Sequence, residues 1–178
     1  MPLKASVFIA TSLDGFIARE DGSLDWLMGA TSSSDDHGYG AFMASVDTLV
    51  MGRGTFDKVL TFGEWPYPNK RVVVLSETLK ALPAGLGEGI ELHPGPIPAL
   101  LEHLTATGAK SLYLDGGKLI QGFLREGRVD ELTITHIPVL LGRGIALFGE
   151  LARDVQLQHL RTTSFESGFV QSTYRVVK

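Results

Sequence analysis

Short, unbroken apolar runs with many β-branched residues recur from one end of this chain to the other. They set the tightest limit on how it can fold. They occupy residues 5–10, 48–51, 72–75, 111–114, 132–137, 146–148 and 170–177. Several are bounded by Gly, Pro or Asp and lack polar alternation, which is the pattern of strands covered on both faces. Stretches of helical period lie between them. Residues 98–107 put Leu100, Leu101 and Leu104 on one face, carry proline at the start and meet Gly108 just past the end. Residues 117–126 put Leu119, Ile120, Phe123 and Leu124 on one face and stop at Gly127. Residues 36–45 read as a weaker helix, diluted by Gly38 and Gly40, and residues 54–60 as a short one. Strands alternating with helices predict an α/β sheet. From Glu131 onward the order becomes strand, loop, strand, a turn at Glu166-Ser167-Gly168, then strand. That tail predicts an antiparallel hairpin joined to a mostly parallel sheet.

The chain has 178 residues, 44% of them apolar, enough for one domain over residues 1–178 with a single large core. It contains no cysteine, which excludes disulfides, zinc–thiolate centres and a cysteine nucleophile. The five histidines, at 37, 93, 103, 136 and 159, have no metal-ligand spacing, so no metal site is expected. Sixteen basic residues stand against 20 acidic ones with no basic stripe, so nucleic acid is not an expected partner. No apolar run approaches the ~18–20 residues needed to span a bilayer. The apolar start is too short for a signal peptide, and a soluble cytoplasmic protein is expected. The longest low-complexity tract is Thr31-Ser32-Ser33-Ser34. Glycine is over-represented, at 21 of 178 residues, or about 12% against a usual ~7%. Either many turns are tight or backbone approaches a ligand closely.

Several catalytic signatures are absent: the P-loop, the G-x-S-x-G elbow, H-E-x-x-H and a strict G-x-G-x-x-G. Three turns that follow predicted strands remain. Val50-Met51-Gly52-Arg53-Gly54-Thr55-Phe56 runs from a strand through Gly52 and Arg53 towards a helix start. Free N–H groups there suit a phosphate, and the guanidinium offers a planar fork to a phosphate monoester. The alternative is a tight turn with a surface arginine. Tyr113-Leu114-Asp115-Gly116-Gly117-Lys118-Leu119-Ile120 joins a strand through paired glycines to an apolar-faced helix. A pyrophosphate can lie against such backbone, or the glycines serve only a close strand–helix crossing. Val74-Leu75-Ser76-Glu77-Thr78 places a hydroxyl at a strand end. Ligands of open α/β sheets sit beyond the carboxyl ends of strands, and a dinucleotide with an extra phosphate would use all three turns.

These residues resemble the dihydrofolate reductase-like superfamily. The segment Ala5-Ser-Val-Phe-Ile-Ala-Thr-Ser-Leu-Asp-Gly-Phe-Ile-Ala18 is similar to its opening strand and loop. It is closest to the C-terminal reductase domain of bacterial riboflavin biosynthesis proteins, where S-L-D-G-x-I-A is typical. Val50-Met-Gly-Arg-Gly-Thr55 looks like its M-G-R-x-T turn. Residues 111–119 resemble its strand-Gly-Gly-helix, and Leu132-Thr-Ile-Thr-His-Ile137 resembles its later strand beside the active site. The matches come in the family's order over nearly the whole chain.

The resemblance implies a three-layer fold: a mixed, mostly parallel sheet of about eight strands with helices on both faces and an antiparallel C-terminal hairpin. It implies NADPH as cofactor and hydride transfer to a pyrimidine- or pteridine-like heterocycle, similar to 5-amino-6-(5-phosphoribosylamino)uracil reduction. Carried over, Arg53 and Ser76 would meet the 2′-phosphate. Gly52 and Thr55 would line the phosphate path, and Gly116, Gly117, Lys118 and Leu119 would hold the pyrophosphate. Ala10 and Ile17 would pack near the nicotinamide, and Trp26 and Thr135 would border the substrate. Asp36, with Asp35 as fallback, would be the carboxylate of the first helix that orients the heterocycle or relays a proton. The other reading of Asp35-Asp36 is an acidic pair favoured at a helix start. Asp14 is expected to cap the turn at Gly15. Gly63-Glu64-Trp65-Pro66-Tyr67-Pro68 would form a pocket wall or a dimer contact. The alternatives are dihydrofolate reduction, a non-catalytic nucleotide-binding module, or an interaction domain. A homodimer is expected.

Overall fold

The computed structural model describes residues 2–30 and 34–178, so residues 31–33 of the serine-rich run lie outside the described residues. Its first half contains β1 (Lys4–Ser12), β2 (Phe16–Ala18), α1 (Asp25–Met28), α2 (Tyr39–Ser45), β3 (Thr48–Gly52), α3 (Arg53–Val59), a 3₁₀ turn (Leu60–Phe62), β4 (Arg71–Leu75) and β5 (Ile90–His93). There follow α4 (Ile97–Ala106), β6 (Ser111–Asp115), α5 (Gly117–Arg125), β7 (Glu131–Ile137), β8 (Ile145–Ala146), β9 (Leu157–Ser164) and β10 (Val170–Val176).

Eight strands form one sheet in the order β5-β4-β3-β6-β1-β7-β10-β9. The first six run parallel; β10 lies antiparallel to β7, and β9 antiparallel to β10. The fold is therefore the expected α/β sheet with an antiparallel C-terminal hairpin. Its central strands read as continuous apolar runs because both faces are covered. In β4, Val72 and Val74 face one cluster and Val73 the other, and all three are fully buried. In β3, Leu49 and Met51 oppose Val50 in the same way. One face carries Leu100 and Leu104 of α4 with Ile120 and Phe123 of α5. The other carries Phe42 of α2, Phe56 and Val59 of α3, and the Trp65 and Tyr67 loop. Three layers result.

Some elements differ from expectation. Residues 146–148 do not enter the main sheet; Ile145 and Ala146 form β8, which pairs with β2 in a separate two-stranded ribbon. Helix α2 begins at Tyr39 rather than at residue 36, because Asp36 spends both carboxyl oxygens on the N–H groups of Gly38 and Gly40, at 3.0 and 2.8 Å. Such a carboxylate caps a helix rather than joining it. The short α1, β2 and β5 were not expected. No helix among the described residues is long and apolar enough to cross a membrane.

Candidate functional site

The sheet order brings the three glycine- and serine-bearing turns side by side. β4, β3 and β6 are consecutive neighbours. Gly52 pairs with Leu75, and Met51 pairs with Asp115. The next residues along each strand are therefore Arg53, Ser76 and Gly116, all at the carboxyl edge. Adjacent strands lie about 4.8 Å apart, so the three turns sit well within the length of one dinucleotide.

Contacts tie the corner together. Gly116 has φ +116°, and a Cβ there would collide with Thr55 Oγ1 in the first turn of α3. A Cβ on Gly117 would come within 3.0 Å of both Ile17 Cδ1 on β2 and the Ala146 carbonyl on β8. The paired glycines are thus required by the chain's own close packing as well as suited to a ligand. Leu119 Cβ lies 3.9 Å from the Cβ position of Gly52. Neither α3 nor α5 has a side-chain cap, so the first-turn N–H groups of both helices remain as donors at one corner. Arg53 Nε donates to both Asp57 oxygens at 2.8 and 2.9 Å, one helical turn on. That bond leaves the guanidinium's terminal nitrogens for another acceptor. Ser76 Oγ accepts the Leu79 N–H at 3.1 Å and lies 3.3 Å from Thr78 Oγ1. Lys118 is exposed at the start of α5.

The remaining residues lie on the α2 face of the sheet. Ala10 pairs with Thr135, and Thr135 with Gln171. Gln171 Nε2 donates to Thr135 Oγ1 and to the His37 carbonyl, both at 2.9 Å, fastening the approach to α2 onto the sheet. Trp26 packs beside Ala10, Ile137 and Phe169. It is 8% exposed, and its indole N–H has no partner among the described residues. Asp36 is held below the usual carboxylate range, chiefly by the Gly40 N–H and then the Gly38 N–H. Asp35 accepts the His37 N–H at 2.8 Å. Asp14 accepts Ser12 Oγ at 2.6 Å and the N–H groups of Leu141 and Gly142 at 3.1 and 2.7 Å. Its carboxyl is likewise lowered, first by the Ser12 hydroxyl.

Sequence reading passed over Asp115. It ends β6, two residues beyond Tyr113 and so on the same face, and burial pushes its carboxyl up to about 6. Burial first and the Asp115 charge second push Tyr39, Tyr67 and Tyr113 above the ordinary phenol range, and Tyr39 and Tyr67 hydrogen-bond to each other. Counting by twos from Tyr113 would have found it. A groove of about 680 Å³ lined by Leu3, Lys4, Arg128, Asp130, Arg175 and Lys178 lies at the opposite, amino-terminal edge and holds none of these residues.

Comparison with known proteins decides the ancestry. The RibD C-terminal domain family matches residues 4–171. The chain belongs to this family. It is 36% identical to the uncharacterized protein YwjB of Bacillus subtilis over 168 residues, 93% of this chain and 94% of that one. A crystal structure from Shewanella sp. PV-4, bearing a provisional riboflavin-biosynthesis name, is 42% identical with a TM-score of 0.93. The match covers 99% of this chain and 100% of that one. Dihydrofolate reductase from Enterococcus faecalis, complexed with NADP(H), shares the fold. Its TM-score is 0.68 at 19% identity, over 99% of this chain and 97% of that one. The RibD-type domain thus stands within the dihydrofolate reductase-like folds.

Proposed function

We propose that the protein is an NADPH-dependent reductase that delivers hydride to a pyrimidine- or pteridine-like heterocycle. The observation that carries this reading is the convergence of Arg53, Ser76 and the Gly116-Gly117 corner at the carboxyl ends of three adjacent strands. The residues fit the cofactor: two uncapped helix starts and a guanidinium with open nitrogens make one anion cradle. Arg53 and Ser76 take the 2′-phosphate. Gly52 and Thr55 line the phosphate path, and the amides of Gly117, Lys118 and Leu119 beside Gly116 take the pyrophosphate. Ala10 and Ile17 flank the nicotinamide, which when bound supplies the hydride. Trp26 and Thr135 border the substrate on the α2 face. Asp36, occupied by backbone N–H groups, fixes the start of α2 at the pocket wall, and water brings the proton.

Fluorescence titration of NADPH and NADH tests the cradle. A charge-assisted contact contributes about 1.5–3 kcal/mol, so Arg53→Ala should weaken NADPH roughly 10- to 100-fold and barely change NADH. Equal loss for both would remove the assigned role of Arg53. No NADPH binding at low salt would remove the reductase reading itself. NADPH oxidation in the presence of an aminouracil or dihydrofolate separates an enzyme from a module that only binds nucleotide.

A further inference from the structure

We infer that the groove at the amino-terminal edge of the sheet is an anion-binding site of its own, built for a phosphate monoester carried on a small apolar body. The inference stands apart from the reductase reading, because the groove lies at the other end of the strands from the glycine-bearing turns. Lys4 pairs with Ser111 at the start of β6, and Gly116 follows the end of that strand. The five residues between span roughly 16 Å.

The floor of the groove is apolar and fixed. Leu3, Leu101 of α4 and Val176 of β10 are each half-buried, pack on the main core and turn their remaining surface into the groove. Backbone bonds hold the strand ends around them. The Val176 N–H donates to the Asp130 carbonyl at 2.9 Å, and the Asp130 N–H to the Ala5 carbonyl at 2.8 Å. The Ala5 N–H in turn donates to Asp130 Oδ2 at 2.7 Å. A ligand therefore meets apolar surface that folding has already ordered, which lowers the cost of binding there.

The walls carry an unbalanced charge. Lys4, Arg128, Arg175 and Lys178 stand against Asp130 and Glu131. Both acids are already matched: Glu131 accepts from Lys4 at 3.2 Å, and Asp130 accepts from Lys178. Arg128 and Arg175 are exposed, and neither guanidinium has a hydrogen bond or ion pair among the described residues. The groove thus holds two uncommitted positive charges on a chain whose formal net charge is −4. The excess belongs to this place and not to the chain as a whole, and it draws anions to the groove.

Charge and floor together select the ligand. A phosphate monoester carries about −1.5 to −2 at neutral pH, which two guanidiniums balance and a single carboxylate does not. Each guanidinium presents a planar fork that matches phosphate oxygens. Inorganic phosphate would leave Leu3, Leu101 and Val176 wet, whereas an ester group of one ring or a short chain covers them and gains from that burial. The class is therefore a phosphorylated small molecule with an apolar group beside the phosphate.

The test uses the full chain at pH 7.5 and low salt, with phenyl phosphate, inorganic phosphate and benzyl alcohol as probes. Amide shifts in nitrogen–proton correlation spectra locate the binding. Phenyl phosphate should move the signals of Val129, Asp130 and Val176, and these should titrate about threefold or more tighter than with inorganic phosphate. Benzyl alcohol should leave them in place. Arg128→Ala and Arg175→Ala should each weaken the phenyl phosphate titration about fivefold or more. Both residues are exposed, and melting curves establish that the variants fold. Unmoved groove signals, equal affinity for the two phosphates, movement with benzyl alcohol, or unchanged affinity in both folded variants would each overturn the inference. Saturating NADPH should leave the groove titration unchanged; loss of groove binding would place the phosphate in the cofactor's site and overturn the inference as well. Failure of NADPH to bind at all sinks only the reductase reading and leaves the groove standing.

Discussion

Asp115 and Asp14 sit on loops and strand ends a few residues from glycines, yet their ionisation acts on stability with opposite sign. The Asp115 carboxyl rises to about 6 from an ordinary 3.8. Between those values the folded chain binds more protons than the unfolded one, so this group's contribution to stability falls as pH rises from about 4 to 6. Asp115→Asn should therefore raise the melting temperature at pH 7, with the gain fading below pH 4; a gain independent of pH would contradict the burial argument. Asp14 is lowered, first by the Ser12 hydroxyl. Its contribution is present above the unfolded pKa and is lost as pH falls below about 4. Asp14→Asn keeps one acceptor oxygen for two loop amides and should lower the melting temperature at pH 7, with the loss shrinking as pH falls below about 4. At the twin-glycine corner, Gly116→Ala meets both a left-handed φ and Thr55 Oγ1. It should cost about 1–3 kcal/mol, read by urea denaturation, and weaken NADPH with it. The motif residues could be chosen from sequence because each sits beside a glycine or at a strand end. The lack of a partner for Asp115 could not, since a missing hydrogen bond is a property of every element around it.

The elements that were legible are those whose burial is one-sided or complete. α5 shows Leu119, Ile120, Phe123 and Leu124 at helical spacing, and all are buried. Phe123 is fully buried under the sheet, and Phe123→Ala should cost about 3–5 kcal/mol. Against a typical domain stability of about 5–15 kcal/mol, that loss is large, and a urea midpoint measures it. An unchanged midpoint would mean that α5 is not seated on the core as described. The elements that escaped sequence reading lack such a signature. β9, exposed along nearly its whole length and carrying Gln, His, Arg and Thr, is marked in the sequence only by the turn that follows it and not by a run of its own. β5 is four residues of alternating character, half-buried at the sheet edge. β2 and β8 exist because they pair with each other across the Gly117 corner, a contact that no local pattern encodes.

At the scale of the molecule, β9 leaves one edge of the sheet open, with both faces of that strand uncovered. We expect it to meet a second copy, because a long open edge is ordinarily paired or covered. Light scattering should give twice the 19.2 kDa of one chain; a monomeric mass at micromolar concentration would count against pairing there. The alternation of buried runs and amphipathic stretches was enough to determine a mostly parallel α/β sheet with an antiparallel tail, since burial on two faces and burial on one leave different periods in a chain. Which turns would become neighbours was a different matter. β6 enters between β3 and β1 although some 60 residues of chain separate its end from that of β3. Strand order is chosen by the competition of whole surfaces for cover, not by any residue's own preference. Only the folded sheet therefore brought Arg53, Ser76 and the paired glycines to one edge.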